Sequence, residues 1–211
     1  MAAESEREFD VYESTDKDWV SRLNVAALEQ QILTVAAMDN RAVVELHSKN
    51  VSGEWELILS AKAVIGRNGV GKASEGDAKT PIGEFRFLFS FGIEPNPGTA
   101  MPYQQINEND YWVDDPASRY YNRFVSRDSV IPDWSSAEHL IKESLAYRYV
   151  LALNYNENCV PGDGSAIFLH CLPSGGAGCI AVNEQAMTKI LKHLIPSCLI
   201  LIDRESEIVN H

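Results

Sequence analysis

Short apolar runs of strand length, separated by polar turns, make up most of the chain. Gln31 to Ala37, Ala42 to His47, Trp55 to Leu59 and Ala61 to Ile65 each read as a strand, with turn signals at Asp39-Asn40 and Ser52-Gly53. Glu84 to Phe91 alternates aromatic with other residues, which predicts a strand with one strongly buried face. Tyr149 to Tyr155 and Cys198 to Ile202 complete the clear strands. His47, alternating with apolar neighbours, reads as a surface position. Three stretches carry helical spacing instead. Trp19, Leu23, Ala26, Ala27 and Gln30 trace one stripe from Asp16 onward. Ser135 and Glu138 form a capping box ahead of Ala137, Leu140, Ile141 and Leu145. Asn183 can cap a helix whose stripe is Ala186, Met187, Ile190, Leu191 and Leu194, with Pro196 ending it. The pattern predicts a mainly β fold with a few helices. Residues 1–15 form a polar tail, residues 16–211 a single domain, and the charged stretch from Asp203 is expected to be exposed.

The region from Gly92 to Trp134 fits none of these patterns, being rich in Pro, Asn, Asp, Tyr and Trp. Compact domains rarely carry such segments without purpose. It reads as an irregular excursion over a cleft, with Trp112, Tyr120, Tyr121 and Asn122 as wall residues, or as aromatics plugging a secondary core; both readings stand.

Composition narrows the function classes. With 211 residues, 45% hydrophobic and 23% charged, the chain can bury one sizeable core. No apolar run approaches the roughly 20 residues of a membrane span. A net charge of -12 argues against nucleic acid or an anionic surface as partner. The N-terminus has no apolar leader segment, so the protein is either cytoplasmic or written without its leader. Cys159, Cys171, Cys179 and Cys198 include no C-x-x-C pair, and His170 with Cys171 and Cys179 is a poor metal set; no metal is expected. Cys198, inside an apolar run, reads as a buried small hydrophobe. Gly66 to Lys72 nearly spells a phosphate loop, but the hydroxyl position is Ala73 and breakers follow where a helix is required.

The chemistry concentrates between Gly162 and Val182. An apolar strand ends in His170, a loop of Pro and small residues follows, and Gly178-Cys179 opens a second apolar strand. A cysteine nucleophile needs a base to make thiolate and donors for an oxyanion. His170 is the candidate base, and Gly175, Gly176 and Gly178 let the backbone turn sharply and present amides near Cys179. On this reading the Cys179 thiol has a lowered pKa and alkylates readily, while Cys198 stays inert. His170 needs an orienting group, for which a backbone carbonyl or Ser174 qualifies.

His170 followed by Gly178-Cys179-Ile180, with Gly76-Asp77-x-Lys79-Thr80-Pro81-x-Gly83-x-Phe85 upstream, resembles the L,D-transpeptidase catalytic domain of the YkuD type. Gly164 to His170, Ala177 to Cys179, Tyr111 to Asp115, Ser118 to Asn122 and Glu138 to Leu140 are similar to one bacterial branch of it. The resemblance implies a β-sandwich with Cys179 at the floor of a cleft, under the long irregular loop region. It implies attack on a peptidoglycan stem peptide, a thioester acyl-enzyme, and transfer to a side-chain amine, or to water in a carboxypeptidase. Cys179, His170 and Gly178 would be catalytic, and Trp112, Tyr121, Asn122, Gly176 and Ala177 would meet substrate. It further implies no cofactor, inhibition by carbapenem-type β-lactams, and an extracytoplasmic, wall-facing location with the leader removed.

Two positions and one interval depart from the family pattern. Gly176 stands where Ser or Thr is usual, Ala181 replaces the common Arg, and only nine positions separate His170 from Cys179. A shortened loop would open the cleft and favour hydrolysis over transfer. The departures also leave room for a wall-peptide-binding module without turnover.

Overall fold

The structure, a computed structural model, describes residues 19–172 and 176–211. Its strands are β1 (Gln31–Met38), β2 (Arg41–Lys49), β3 (Trp55–Val64), β4 (Gly83–Gly92), β5 (Tyr103–Gln105), β6 (Asp110–Val113), β7 (Arg123–Ser126), β8 (Ala137–His139), β9 (Val150–Leu153), β10 (Phe168–Cys171), β11 (Ile180–Val182) and β12 (Leu199–Arg204). The single α-helix among the described residues is α1 (Glu184–His193). Asn183 caps it as predicted, its side chain accepting the Ala186 N–H at 2.8 Å.

The fold is mainly β. The large sheet runs β12-β1-β2-β3-β11-β10-β9-β4-β5, and β12 also pairs with β4, so the sheet closes on itself. That closure removes most of the exposed edge. Most pairings are antiparallel; β1 with β12, β4 with β5 and β10 with β11 are parallel. A second sheet, β7-β6-β8, lies over part of the first. It is built largely from the long aromatic region, which thus contains regular strands as well as loops.

Strand alternation sorts the side chains into two cores. Leu169, Cys171, Ile180, Val182, Leu151 and Leu153 point into the closed sheet, where they meet Leu33, Val44, Ile200 and the Met187, Ile190 and Leu191 face of α1. Phe168, Cys179, Val150 and Ala152 point outward, into a layer made with Phe91, Trp112, Leu140 and Tyr147. The nucleophile candidate therefore belongs to the second core, between the two sheets.

Several expectations give way to tertiary contacts. The predicted N-terminal helix is two short 3-10 turns, Trp19–Arg22 and Asn24–Ala27, closed over the outer face of β1 and β12. Trp19 covers His47, which is fully buried rather than on the surface and lies 3.2 Å from the Glu45 carboxylate. The capping box at Ser135 makes no helix. The Ser135 N–H and hydroxyl both donate to Asp115 Oδ2, at 2.7 Å each, and residues 137–139 pair with β6 as a strand. The C-terminal stretch is not a free tail either. Asp203 is buried, accepts from the His211 ring at 2.8 Å, and Ile208 packs beside Leu199.

Candidate active site

β10 and β11 are parallel neighbours with Leu169 opposite Ile180 and His170 opposite Ala181. Cys179 therefore lies beside Phe168, whose amide N–H reaches its sulfur at 3.3 Å. His170, two residues further along β10, shares the face of Phe168 and is the diagonal neighbour of Cys179. The two residues are thus brought onto one face of adjacent strands.

The His170 ring is fixed by its own strand. Nδ1 lies 2.8 Å from the Cys171 carbonyl oxygen. A carbonyl only accepts, so Nδ1 carries the proton and Nε2 holds the lone pair in the neutral ring. The orienting group is the backbone carbonyl; Ser174, the other candidate, and Gly175 of the glycine run lie outside the described residues. The Tyr147 ring packs edge-on to the imidazole at 5.6 Å between centroids. Burial lowers the His170 pKa, only partly offset by its bond to Cys171.

Cys179 is buried, with its thiol 3.1 Å from the Ala166 carbonyl, to which it donates. Burial pushes its pKa up to about 12, aided by the negative charge of Glu138. Sequence alone led to the opposite expectation, a thiol poised as thiolate. The resting site instead holds a neutral thiol and a neutral imidazole, because both sit in an apolar layer that penalises charge. Glu138, whose carboxylate accepts from the Tyr147 hydroxyl, is itself raised to about 7 by desolvation.

Ala166 has a left-handed backbone, φ +53°, unusual for a residue with a side chain. Asn122 holds it there. Its Oδ1 accepts from the Ala166 N–H and from Trp112 Nε1, both at 3.1 Å, and its Nδ2 donates to the carbonyls of Tyr155 and Asn156. All four hydrogen-bonding positions of the amide are used. Tyr121, also buried, donates to Glu75 at 2.6 Å and accepts from the Gly164 N–H. Trp112, Tyr121 and Asn122 are therefore buried against Phe168, Gly164 and Ala166, the segment that flanks Cys179. Gly176 is buried and Ala177 exposed on the approach to Cys179.

The loop that mimics a phosphate cradle is filled by its own side chains. The Lys72 side chain is buried, donating to Asp77 at 3.1 Å, and no helix follows it. Asp77 also accepts the N–H groups of Ala73, Ser74 and Lys79. Burial opposes its ionisation, but those bonds prevail and hold the carboxyl at about 2. The four cysteines are free, with Cys171, Cys179 and Cys198 buried.

Sequence reasoning missed Tyr147 and gave no role to Thr80. Nothing in the local pattern of either points to a site; Thr80 entered only inside the Lys79-Thr80-Pro81 motif.

A family model of the L,D-transpeptidase catalytic domain (YkuD) matches residues 39–202. Among solved structures the chain is similar to a helical cell shape determining protein of Campylobacter jejuni, at 16% identity and a TM-score of 0.43. The match covers 84% of this chain and 49% of that one, so the chain spans about half the length of that protein. No curated protein matches the chain in sequence.

Proposed function

Because the chain belongs to the YkuD family of L,D-transpeptidase catalytic domains, we propose that it transfers acyl groups on peptidoglycan stem peptides, with Cys179 as nucleophile. The observation that carries this reading is the placement of His170 and Cys179 on one face of adjacent parallel strands, with Nδ1 of the imidazole engaged by the Cys171 carbonyl. That leaves Nε2 as the proton acceptor.

In the reaction, substrate displaces water from the site and the thiol attacks the carbonyl carbon of the scissile peptide bond. The S–H proton passes to Nε2 of His170 as the C–S bond forms, so a free thiolate need not accumulate. Backbone amides of the turn at Gly178 and Cys179 receive the oxyanion. The C–N bond then breaks, and His170 returns its proton to the departing amine. The thioester is resolved by a side-chain amine, giving a cross-link, or by water, giving a trimmed stem. Gly176 and Ala177 flank the substrate on the approach to the turn, with Trp112, Tyr121 and Asn122 shaping the site from behind. The substrate places the protein outside the cytoplasmic membrane, facing the wall. Carbapenems, which acylate such thiols, are the expected inhibitors.

The raised Cys179 pKa favours one second reading, a module that holds wall peptides without turning them over. Incubation with purified stem tetrapeptides, read by mass, decides between them. Transfer yields a cross-linked dimer and hydrolysis a tripeptide, both lost in Cys179→Ala. Unchanged tetrapeptide with wild-type protein, despite measurable binding, would leave only the binding module.

A further inference from the structure

The segment from Gly66 to Thr80 is spent on the backbone of the turn that carries Cys179. The Thr80 side chain is fully buried; its hydroxyl donates to the Gly178 carbonyl at 2.7 Å and accepts the Gly66 N–H at 2.9 Å. A second attachment runs from the Arg67 N–H to the Gly176 carbonyl, at 3.0 Å. The carbonyls on both sides of Ala177 are thus tied to one buttress.

The buttress is itself rigid. Thr80 exchanges backbone bonds with Gly69 and Gly71, at 3.0 and 2.8 Å. Asp77 gathers the N–H groups of Ala73, Ser74 and Lys79 and the Lys72 ammonium. Contact is close enough to require glycine at both faces. A Cβ on Gly66 would lie 2.5 Å from the Ala78 carbonyl oxygen, and one on Gly178 would lie 2.9 Å from that of Lys79. Gly178 also has φ +145°, a conformation L side chains rarely adopt.

We propose that Thr80 is a positioning residue for the oxyanion donor, holding the Gly178–Cys179 peptide so that the Cys179 N–H faces the attacked carbonyl. In a trans peptide the C=O and N–H point in opposite directions. Fastening the Gly178 oxygen to the buried Thr80 hydroxyl turns the Cys179 N–H away from the buttress. Without that bond the Gly178 peptide would keep glycine's wide choice of backbone angles. The proposal rests on the acyl-transfer reading above and adds to it the group that aims the amide.

Two reactions of the same sulfur separate this role from general support. Acylation by a stem tetrapeptide or a carbapenem passes through an oxyanion; displacement of iodide from iodoacetamide does not. Both rates are measured on Cys179 by mass spectrometry in wild type, Thr80→Val and Thr80→Ser. Thr80→Val is expected to acylate about 10²-fold more slowly, the scale of losing one oxyanion donor, while alkylating at the wild-type rate. Thr80→Ser keeps the hydroxyl and is expected to restore acylation.

Wild-type acylation in Thr80→Val, or equal slowing of both reactions, overturns the proposal. If Thr80→Val does not fold, Thr80→Ser decides: slow acylation with normal alkylation overturns it, and normal acylation supports it. A wild-type protein that alkylates yet is acylated by neither probe refutes the acyl-transfer reading, and the Thr80 role falls with it. That result is distinct from acylation that is merely indifferent to Thr80.

Discussion

The side-chain oxygen of Asn122 accepts a hydrogen bond from the Ala166 N–H, and the carbonyl of Ala166 in turn accepts one from the Cys179 thiol. A residue on the long aromatic excursion is thereby linked to the Cys179 thiol through a single intervening residue. Asn122 makes that link from a buried position with every polar atom engaged.

Asn122→Ala should therefore cost more than a cavity. It orphans the Trp112 and Ala166 N–H groups and the Tyr155 carbonyl, while the Asn156 carbonyl keeps the Cys159 N–H. Each buried unsatisfied group costs about 1–3 kcal/mol, with partial relief from water, so a net loss of about 2–4 kcal/mol is expected. Urea unfolding of wild type and variant measures it, and a loss below about 0.5 kcal/mol would contradict the geometry.

Glu138 is predicted to act on Cys179 through its charge. Its carboxyl titrates at about 7 and its negative charge raises the thiol. Glu138→Gln keeps an acceptor for Tyr147 and removes the charge, so Cys179 should alkylate several-fold faster at pH 8. Stability gives a second measure. The folded pKa lies above the usual 4.5, so the contribution is full below pH 4.5 and is lost as pH rises through about 7. Thermal melts of Glu138→Gln should be flatter than wild type across that window. Equal alkylation rates and parallel melting curves would refute the coupling.

The thiol itself makes a sharp prediction about labelling. With a pKa near 12, Cys179 in the free protein should react with iodoacetamide about tenfold faster per pH unit from 7 to 10, without a plateau. Cys171 and Cys198, buried and raised to about 11 and about 12, should be slow as well. Cys159, the one cysteine of the four that is not buried, should label first. A plateau in Cys179 labelling by pH 8 would instead establish a resting thiolate.

Asp77 should matter in neutral solution and cease to matter in acid. Its folded pKa of about 2 lies below the usual 3.8, so its contribution is present above pH 3.8 and lost as pH falls through about 2. The shift corresponds to about 2 kcal/mol. Asp77→Asn is expected to lose about that much at pH 7, with the gap narrowing toward pH 2. Urea titrations at the two ends test it; a gap independent of pH would assign the loss to packing.

Local pattern is enough for most strands, for α1 with its Asn183 cap, and for singling out His170 and Cys179 as candidates. Those features follow from side-chain periodicity, turn chemistry and motif, all readable within a dozen residues. The stretch after Ser135 has a helical pattern yet forms a strand, because Asp115, twenty positions away, takes both Ser135 donors and Tyr147 takes the Glu138 carboxylate. His47 has a surface pattern in sequence because nothing beside it reveals that Trp19 folds over its face.

Sequence by itself determined which side chains could carry an acyl transfer, a thiol and an imidazole near a glycine-rich turn. Tertiary structure decided their charge state and their aim. Burial between two sheets makes the resting thiol and imidazole neutral, since ions lose more hydration there than neighbours return. The peptide before Cys179 takes its direction from Thr80, 98 residues upstream of Gly178. Desolvation and long-range hydrogen bonds arise only when distant segments meet, and no local pattern encodes them.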